Sequence, residues 1–132
     1  MNVKMITSQV SRAILSVFFI AAGVAHFVKP SLYLTMMPPW IPFPLAAIYV
    51  SGVFEILFGA LVLPGKTRKL AGWGLIAVLA AVFPANIYVA LHPEIFSGIP
   101  AWGTWARLPF QAVFMFWVWK AAISSEPLEL RR

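Results

Sequence analysis

Three ionisable side chains, His26, Glu55 and Arg107, lie within long apolar stretches of the sequence. Ionisable residues in such stretches are rare and usually face the interior of a helix bundle, so each one marks a candidate functional site. An imidazole and a carboxyl group can together donate and accept protons. We therefore predict that Glu55 and His26 form a catalytic acid/base pair.

Further polar and aromatic residues suggest a ligand-binding surface beside this pair. A guanidinium carries only donors and needs an anion or carbonyl groups. Arg107 and Gln111 are spaced i, i+4, which puts them on one helix face. Asn86 follows Pro84, which in a helix removes a backbone donor and frees the carbonyl of Ala80. The predicted ligand-binding residues are Arg107, Asn86, Gln111, Tyr33 and Trp40.

The composition is that of an integral membrane protein. The chain has 132 residues, of which 61% are hydrophobic and 11% charged, and its mean hydropathy is +0.87. A soluble fold of this length has too little interior to bury so much apolar surface. We predict a single membrane domain over residues 1–132. The absence of cysteine excludes disulfide exchange, thiolate nucleophiles and cysteine-ligated metals within the chain.

The formal net charge of +6 does not indicate nucleic-acid binding. Small membrane proteins collect Lys and Arg at their cytoplasmic ends, and no basic run here is interleaved with aromatic residues in a polar segment. The two histidines have no zinc-like set of partner ligands, so we predict no metal site.

Four apolar stretches approach the roughly 20 residues that a spanning helix needs, with connections marked by proline and glycine. The predicted fold is an all-α four-helix transmembrane bundle with spans at 11–28, 45–63, 70–91 and 105–123. Alternatively, the first stretch is a signal peptide, since Gly23-Val24-Ala25 has small residues at suitable spacing for cleavage. Cleavage would leave three spans.

The distribution of Lys and Arg predicts the orientation, since cytoplasmic ends are enriched in both. Only Lys29 and Arg107 fall on one side of the predicted spans. The others fall on the opposite side, at Lys4, Arg12, Lys66, Arg68, Lys69, Lys120, Arg131 and Arg132. We predict a multi-pass protein of the cell membrane, plasma or inner, with both termini cytoplasmic.

The outer connection, "KPSLYLTMMPPWIPFP" at 29–44, is apolar and rich in proline. Its backbone cannot form a regular helix through the proline cluster, and irregular backbone at a membrane is tolerated only against protein or at the interface. We predict an interfacial cap over the outer end of the bundle. The alternative is a plain anchor, to which an aromatic belt of Tyr33, Trp40 and Trp102 would contribute.

The polar residues are expected to cluster in the outer half of the bundle. Glu55 lies near the middle of its span, on one helical stripe with Ser51, Gly52 and Gly59, whose small size lets another helix approach. His26, Asn86 and Arg107 lie roughly 8 to 10 Å further out, at about 1.5 Å per residue, and Gln111 lies one turn deeper than Arg107. We predict one hydrogen-bonded network, open to the outer side, of His26, Glu55, Asn86, Arg107 and Gln111.

Simpler interpretations of the same residues stay open. The polar network would only fix the packing of the helices. Arg107 would extend to the interface and bind a lipid phosphate. His26 would serve as an ordinary hydrogen-bonding residue between helices.

Several segments together resemble the DoxX/DoxX-like family of small four-helix membrane proteins, over about residues 10 to 121. They are "GVAHFVKP" (23–30), "MMPPWIP" (36–42), "YVSGVFEILFGALVLP" (49–64), "TRKLAGW" (67–73), "VFPANIYVAL" (82–91) and "WARLPFQ" (105–111). The resemblance implies work linked to quinones or to membrane redox complexes. Because this chain lacks cysteine, a bound quinone, a haem or a partner subunit must then carry the electrons; a haem is the less favoured.

Three functions follow as hypotheses. The first is binding of an amphipathic small molecule, a quinone or a lipid, as a subunit linked to membrane redox metabolism, with redox partner subunits or a second copy of the chain. The second is a stand-alone enzyme in which Glu55 and His26 act on a lipophilic substrate. The third is a structural or assembly protein. A transporter is disfavoured, because the chain shows no inverted repeat.

Overall fold

The computed structural model describes residues 3–96 and 98–124, and this part of the chain is helical without strands. Its elements are α1 (Val3–Val28), α2 (Pro30–Met36), α3 (Pro44–Leu61), α4 (Arg68–Leu91), a 3-10 turn (Pro93–Phe96), α5 (Ala101–Val118) and a π-helical turn (Trp119–Ile123) that continues α5.

Three of these helices, α1, α3 and α4, are long and apolar enough to span a membrane. Helix α3 and helix α4 begin and end within two residues of the predicted spans, whereas α1 begins eight residues before the predicted 11. The fourth predicted span, 105–123, corresponds to α5 and the π-helical turn. Helix α5 is as long as α3, but it carries Arg107 and Gln111, and it does not meet the same hydropathy criterion.

The tightest packing lies at the end of the molecule that carries the connection from α3 to α4, called here the turn end. Helix α3 packs between α1 and α4, and α4 packs against α5 and the π-helical turn. Apolar side chains from all four long helices and the π-helical turn are buried there, among them Leu15, Phe19, Val62, Leu75 and Val118. This core packs the helices together at the turn end.

The closest approach of α1 and α3 is made by two glycines. A Cβ on Gly23 would lie 2.6 Å from the carbonyl oxygen of Gly52, and a Cβ on Gly52 would lie 2.9 Å from Cβ of His26. Glycine is therefore required on both sides of the contact. Gly52, Glu55 and Gly59 are buried on one face of α3, which confirms that the predicted stripe faces other helices.

The connection between α1 and α3 is more regular than predicted. Its first part forms α2, which ends at Met36 before the proline cluster. The irregular part is limited to residues 37–43 and ends at Phe43, whose φ of 51° is in the left-handed region. Helix α2 packs against α1, α3 and α4, at what is called here the cap end.

At the turn end, the predicted cytoplasmic cation Arg12 is buried, and its Nε donates a hydrogen bond to the carbonyl of Ala121 at 3.0 Å. Arg68 likewise donates to the carbonyls of Val62 and Leu63 at the end of α3. These two arginines therefore also stabilise helix ends. Arg131 and Arg132, which entered the orientation prediction, lie outside the described residues.

Candidate functional site

A cavity of about 850 Å³ lies between the long helices, and α2 covers part of it. Most of the side chains that line it are apolar, from all five α-helices and from residues 37–43. It also contains six of the seven predicted site residues: His26, Tyr33, Glu55, Asn86, Arg107 and Gln111. Ligand sites are commonly apolar cavities with a few polar groups that fix orientation.

His26 and Glu55 are brought together by the glycine contact between α1 and α3. His26 Nδ1 lies 3.2 Å from Glu55 Oε2, and both residues are buried, with 7% and 6% of their surface exposed. The ring nitrogen also lies 2.9 Å from the carbonyl oxygen of Ala22. Because a carbonyl only accepts hydrogen bonds, Nδ1 carries the hydrogen in that contact. This leaves Nε2 as the ring nitrogen that carries the free lone pair in the neutral imidazole.

The Nδ1 hydrogen of His26 is directed to Ala22 rather than to Glu55. Glu55 Oε2 consequently has no hydrogen-bond partner within the described part of the chain, although it is fully buried. A buried carboxylate oxygen without a donor costs free energy relative to one in water. The described part of the chain therefore contains a buried hydrogen-bond acceptor, on a residue that lines the cavity, that is not satisfied by the protein.

Tyr33, on α2, connects the cap end to this pair. Its ring stacks on the imidazole of His26 with a centroid distance of 4.1 Å and an interplanar angle of 23°. Burial raises the pKa of the Tyr33 hydroxyl, the charge of Glu55 raises it further, and Arg107 lowers it. The phenol is therefore kept neutral and sits within the electrostatic influence of both charged residues.

Arg107 lies in the lining of the cavity on α5 and is half-buried. Within the described residues, which are 3–96 and 98–124, the guanidinium of Arg107 makes no hydrogen bond or ion pair with another side chain or with a carbonyl. Glu55 and Arg107 thus form no direct pair. The cavity lining therefore includes a guanidinium whose five donors have no hydrogen-bond acceptor among the described residues.

Asn86 and Gln111 form a second, separate polar pair across α4 and α5. The Asn86 side-chain amide donates to Gln111 Oε1, and Gln111 Nε2 donates to the carbonyl of Leu79. Pro84 was predicted to free the carbonyl of Ala80, but the carbonyl that accepts from Gln111 is that of Leu79, one residue earlier. Instead of one continuous network, the structure has the pairs His26–Glu55 and Asn86–Gln111, with Arg107 apart from both.

Trp40 is not brought to the cavity. It is 69% exposed and does not line the space that the other predicted residues share. The neighbouring residues Met36, Met37 and Ile41 reach the lining instead. These three residues were not among the predicted site residues. The sequence feature that could have indicated them is the apolar character of the connection, since unbranched Met side chains adapt to irregular surfaces.

Helices α1 and α5 meet mainly through side chains on the turn-end side of the cavity. Phe18 stacks on Phe114 with a centroid distance of 4.9 Å, and Trp117 Nε1 donates to Ser11 Oγ at 2.7 Å. Phe18 and Phe114 line the cavity. This aromatic contact, together with the apolar core, separates the polar groups from the turn end.

Comparisons with known proteins bear on the family and not on the activity. No curated protein matches the chain, and no solved structure matches it. A family model described as "Domain of unknown function (DUF8561)" matches residues 15–122, which include the whole lining of the cavity. The chain therefore belongs to the DUF8561 family.

Proposed function

We propose that the chain is a four-helix protein of the cell membrane that binds an amphipathic small molecule, a quinone or a lipid, in the cavity. The observation that carries this proposal is an apolar lining with two polar groups that have no hydrogen-bond partner among the described residues, the buried Glu55 Oε2 and the half-buried guanidinium of Arg107. A polar head at these groups would replace the water lost on burial, while an apolar tail would contact the walls.

The membrane arrangement follows the sequence-based prediction. Helices α1, α3, α4 and α5 cross the bilayer, and both termini and the turn end face the cytoplasm. Helix α2 and residues 37–43 lie at the outer interface and cap the cavity. Arg107 is then in the outer half of the membrane, where a long charged side chain is tolerated if it reaches water or a polar head group.

The resemblance to DoxX-like proteins favours a quinone-linked role. In that role the chain serves as a subunit of a membrane redox assembly, with redox partner subunits or a second copy of itself. Its own residues bind and orient the head group, while electrons pass through the bound molecule or a partner.

A second candidate function is acid/base catalysis on a lipophilic substrate. The observation that favours it is the buried contact of 3.2 Å between His26 and Glu55 at the edge of a ligand-sized cavity. His26 Nε2 would exchange a proton with the substrate, and Glu55 would stabilise the charged imidazole.

Lipid extraction and mass spectrometry of the washed, purified protein test the proposal. We expect one amphipathic compound to be enriched over bulk lipid, and to fall at least about tenfold in Arg107→Leu, because a hydrogen bond to a charged group is lost. Lys66→Leu, at an exposed cation outside the cavity, should keep the compound. Equal lipid profiles in all three proteins would overturn the proposal.

A further inference from the structure

We propose that the molecule bound in the cavity is an uncharged amphiphile whose polar head carries a hydroxyl group. This inference rests on the proposed function and names the chemical class of its ligand. It follows from what each unsatisfied polar group in the lining lacks.

Among the described residues, no group donates a hydrogen bond to Glu55 Oε2. Nδ1 of His26 lies 3.2 Å away, but its hydrogen is directed to the carbonyl of Ala22. Tyr33, the tyrosine of α2, stacks on His26 and does not donate a hydrogen bond to Glu55 Oε2. The donor is therefore left to the ligand.

Arg107 has no hydrogen-bond acceptor in the described part of the chain. A guanidinium has no lone pair to offer, so the ligand must supply an oxygen or nitrogen that accepts. The formally charged groups among the described lining residues are one carboxyl, Glu55, and one guanidinium, Arg107. Because these two formal charges balance, the cavity holds no excess charge that would select an ionic head.

Other common head groups satisfy only one of the two residues. A carboxylate or phosphate would accept from Arg107 but would bring a second anion to Glu55. An ammonium head would donate to Glu55 but would repel Arg107. A quinone carbonyl or an ether accepts only. A hydroxyl donates through its hydrogen and accepts through its oxygen, which matches both residues.

Three sources share this chemistry: a long-chain alcohol, a sterol, and the reduced dihydroxy form of a quinone. The experiment compares each with its methyl ether, which keeps the acceptor and the tail but removes the donor. The pairs are 1-hexadecanol and 1-methoxyhexadecane, cholesterol and its 3-methyl ether, and decylhydroquinone and its dimethyl ether under reducing conditions. Hexadecanoate is the anionic probe.

Each pair is incubated at equal concentration with the delipidated full chain in mild detergent, and the retained compounds are measured by extraction and mass spectrometry. We expect at least one hydroxyl compound to be retained about tenfold over its ether, as for a hydrogen bond to a charged acceptor, and over hexadecanoate. The pair with the largest ratio identifies the source. Glu55→Leu should remove the preference, while Glu94→Gln, at an exposed carboxyl outside the cavity, should keep it.

Equal retention of hydroxyl compound and ether in all three pairs, or preferential retention of hexadecanoate, would overturn this inference but leave amphiphile binding standing. Retention of no probe above that of Ala85→Trp, which places a bulky side chain in the cavity, would overturn the proposed function as well. If Glu55→Leu does not fold, the ratios of the wild-type chain decide the question alone.

Discussion

Nδ1 of His26 lies 3.2 Å from Oε2 of Glu55, yet its hydrogen is directed to the carbonyl of Ala22. The two side chains are neighbours across the contact of α1 and α3 without satisfying each other. This arrangement leaves the carboxylate oxygen to a ligand, and it makes the imidazole a positioning group whose stacking on Tyr33 holds the cap end against the cavity.

Replacing His26 by alanine should reduce the amount of co-purified amphiphile at least about tenfold, because the stack with Tyr33 and the polar neighbour of Glu55 are both lost. His92 offers a matched control. Its Nδ1 lies 2.9 Å from the Tyr88 carbonyl and its ring is 4.3 Å from the Tyr88 ring, but it does not line the cavity. His92→Ala should leave ligand content unchanged. An equal loss in both variants would contradict a role of His26 in the site.

Replacing Gly23 by alanine should separate α1 from α3. The added Cβ would lie 2.6 Å from the backbone oxygen of Gly52, so a helix must move, and we expect the free energy of unfolding to fall by about 1–3 kcal/mol. Thermal unfolding followed by tryptophan fluorescence measures this change. Gly98→Ala is the control, since a Cβ there meets nothing within 4 Å. Equal melting temperatures for the two variants would show that the close contact is not needed.

Replacing Gln111 by leucine should destabilise the packing of α4 against α5. The substitution leaves the Leu79 carbonyl and the Asn86 amide without their partner, which costs about 1–3 kcal/mol for a buried polar group. The measurement is again thermal unfolding, with Gln9→Leu on an exposed part of α1 as the control. A Gln111→Leu protein as stable as the control would mean that these hydrogen bonds contribute nothing net.

The Tyr33 hydroxyl should deprotonate only at a pH above the ordinary tyrosine pKa of 10.0, because burial and the charge of Glu55 both disfavour the phenolate. The measurement is the ultraviolet absorbance of tyrosinate during an alkaline titration of the wild type and of Tyr33→Phe. The difference between the two titrations gives the contribution of Tyr33. Ligand retention should accordingly show no step from Tyr33 between neutral pH and pH 10. A Tyr33 transition below the ordinary value would contradict the burial of this side chain under the cap.

The sequence was sufficient to predict where two of the helices, α3 and α4, begin and end. Long apolar stretches interrupted by proline and glycine determine α3 and α4 almost to the residue, since both signals are local. Helix geometry alone also predicts that Glu55 and Arg107 lie in the same half of the bundle, about 10 Å apart in depth, and both residues line the cavity. Residue spacing therefore contains much of the information about which side chains share a space.

The hydrogen-bond partners within that space could not be predicted from spacing. Whether His26 bonds to Glu55 or to the carbonyl of Ala22 depends on a side-chain rotation that the local backbone competes for. Gln111 likewise reaches the Leu79 carbonyl, a choice fixed by how closely α4 and α5 approach. The helical turn α2 and the exposure of Trp40 depend on how the connection folds back over the other helices, which is a tertiary contact without a local signal.

If the cavity is a binding site, a bulky side chain placed in it should displace the ligand, and this is the most direct test. Ala85 and Ala77 both lie on α4, but only Ala85 lines the cavity, whereas Ala77 is exposed. The measurement is the molar ratio of co-purified amphiphile to protein in Ala85→Trp and Ala77→Trp. We predict that the ratio falls to background in Ala85→Trp and stays at the wild-type value in Ala77→Trp. Equal ratios in the two folded variants would contradict the account.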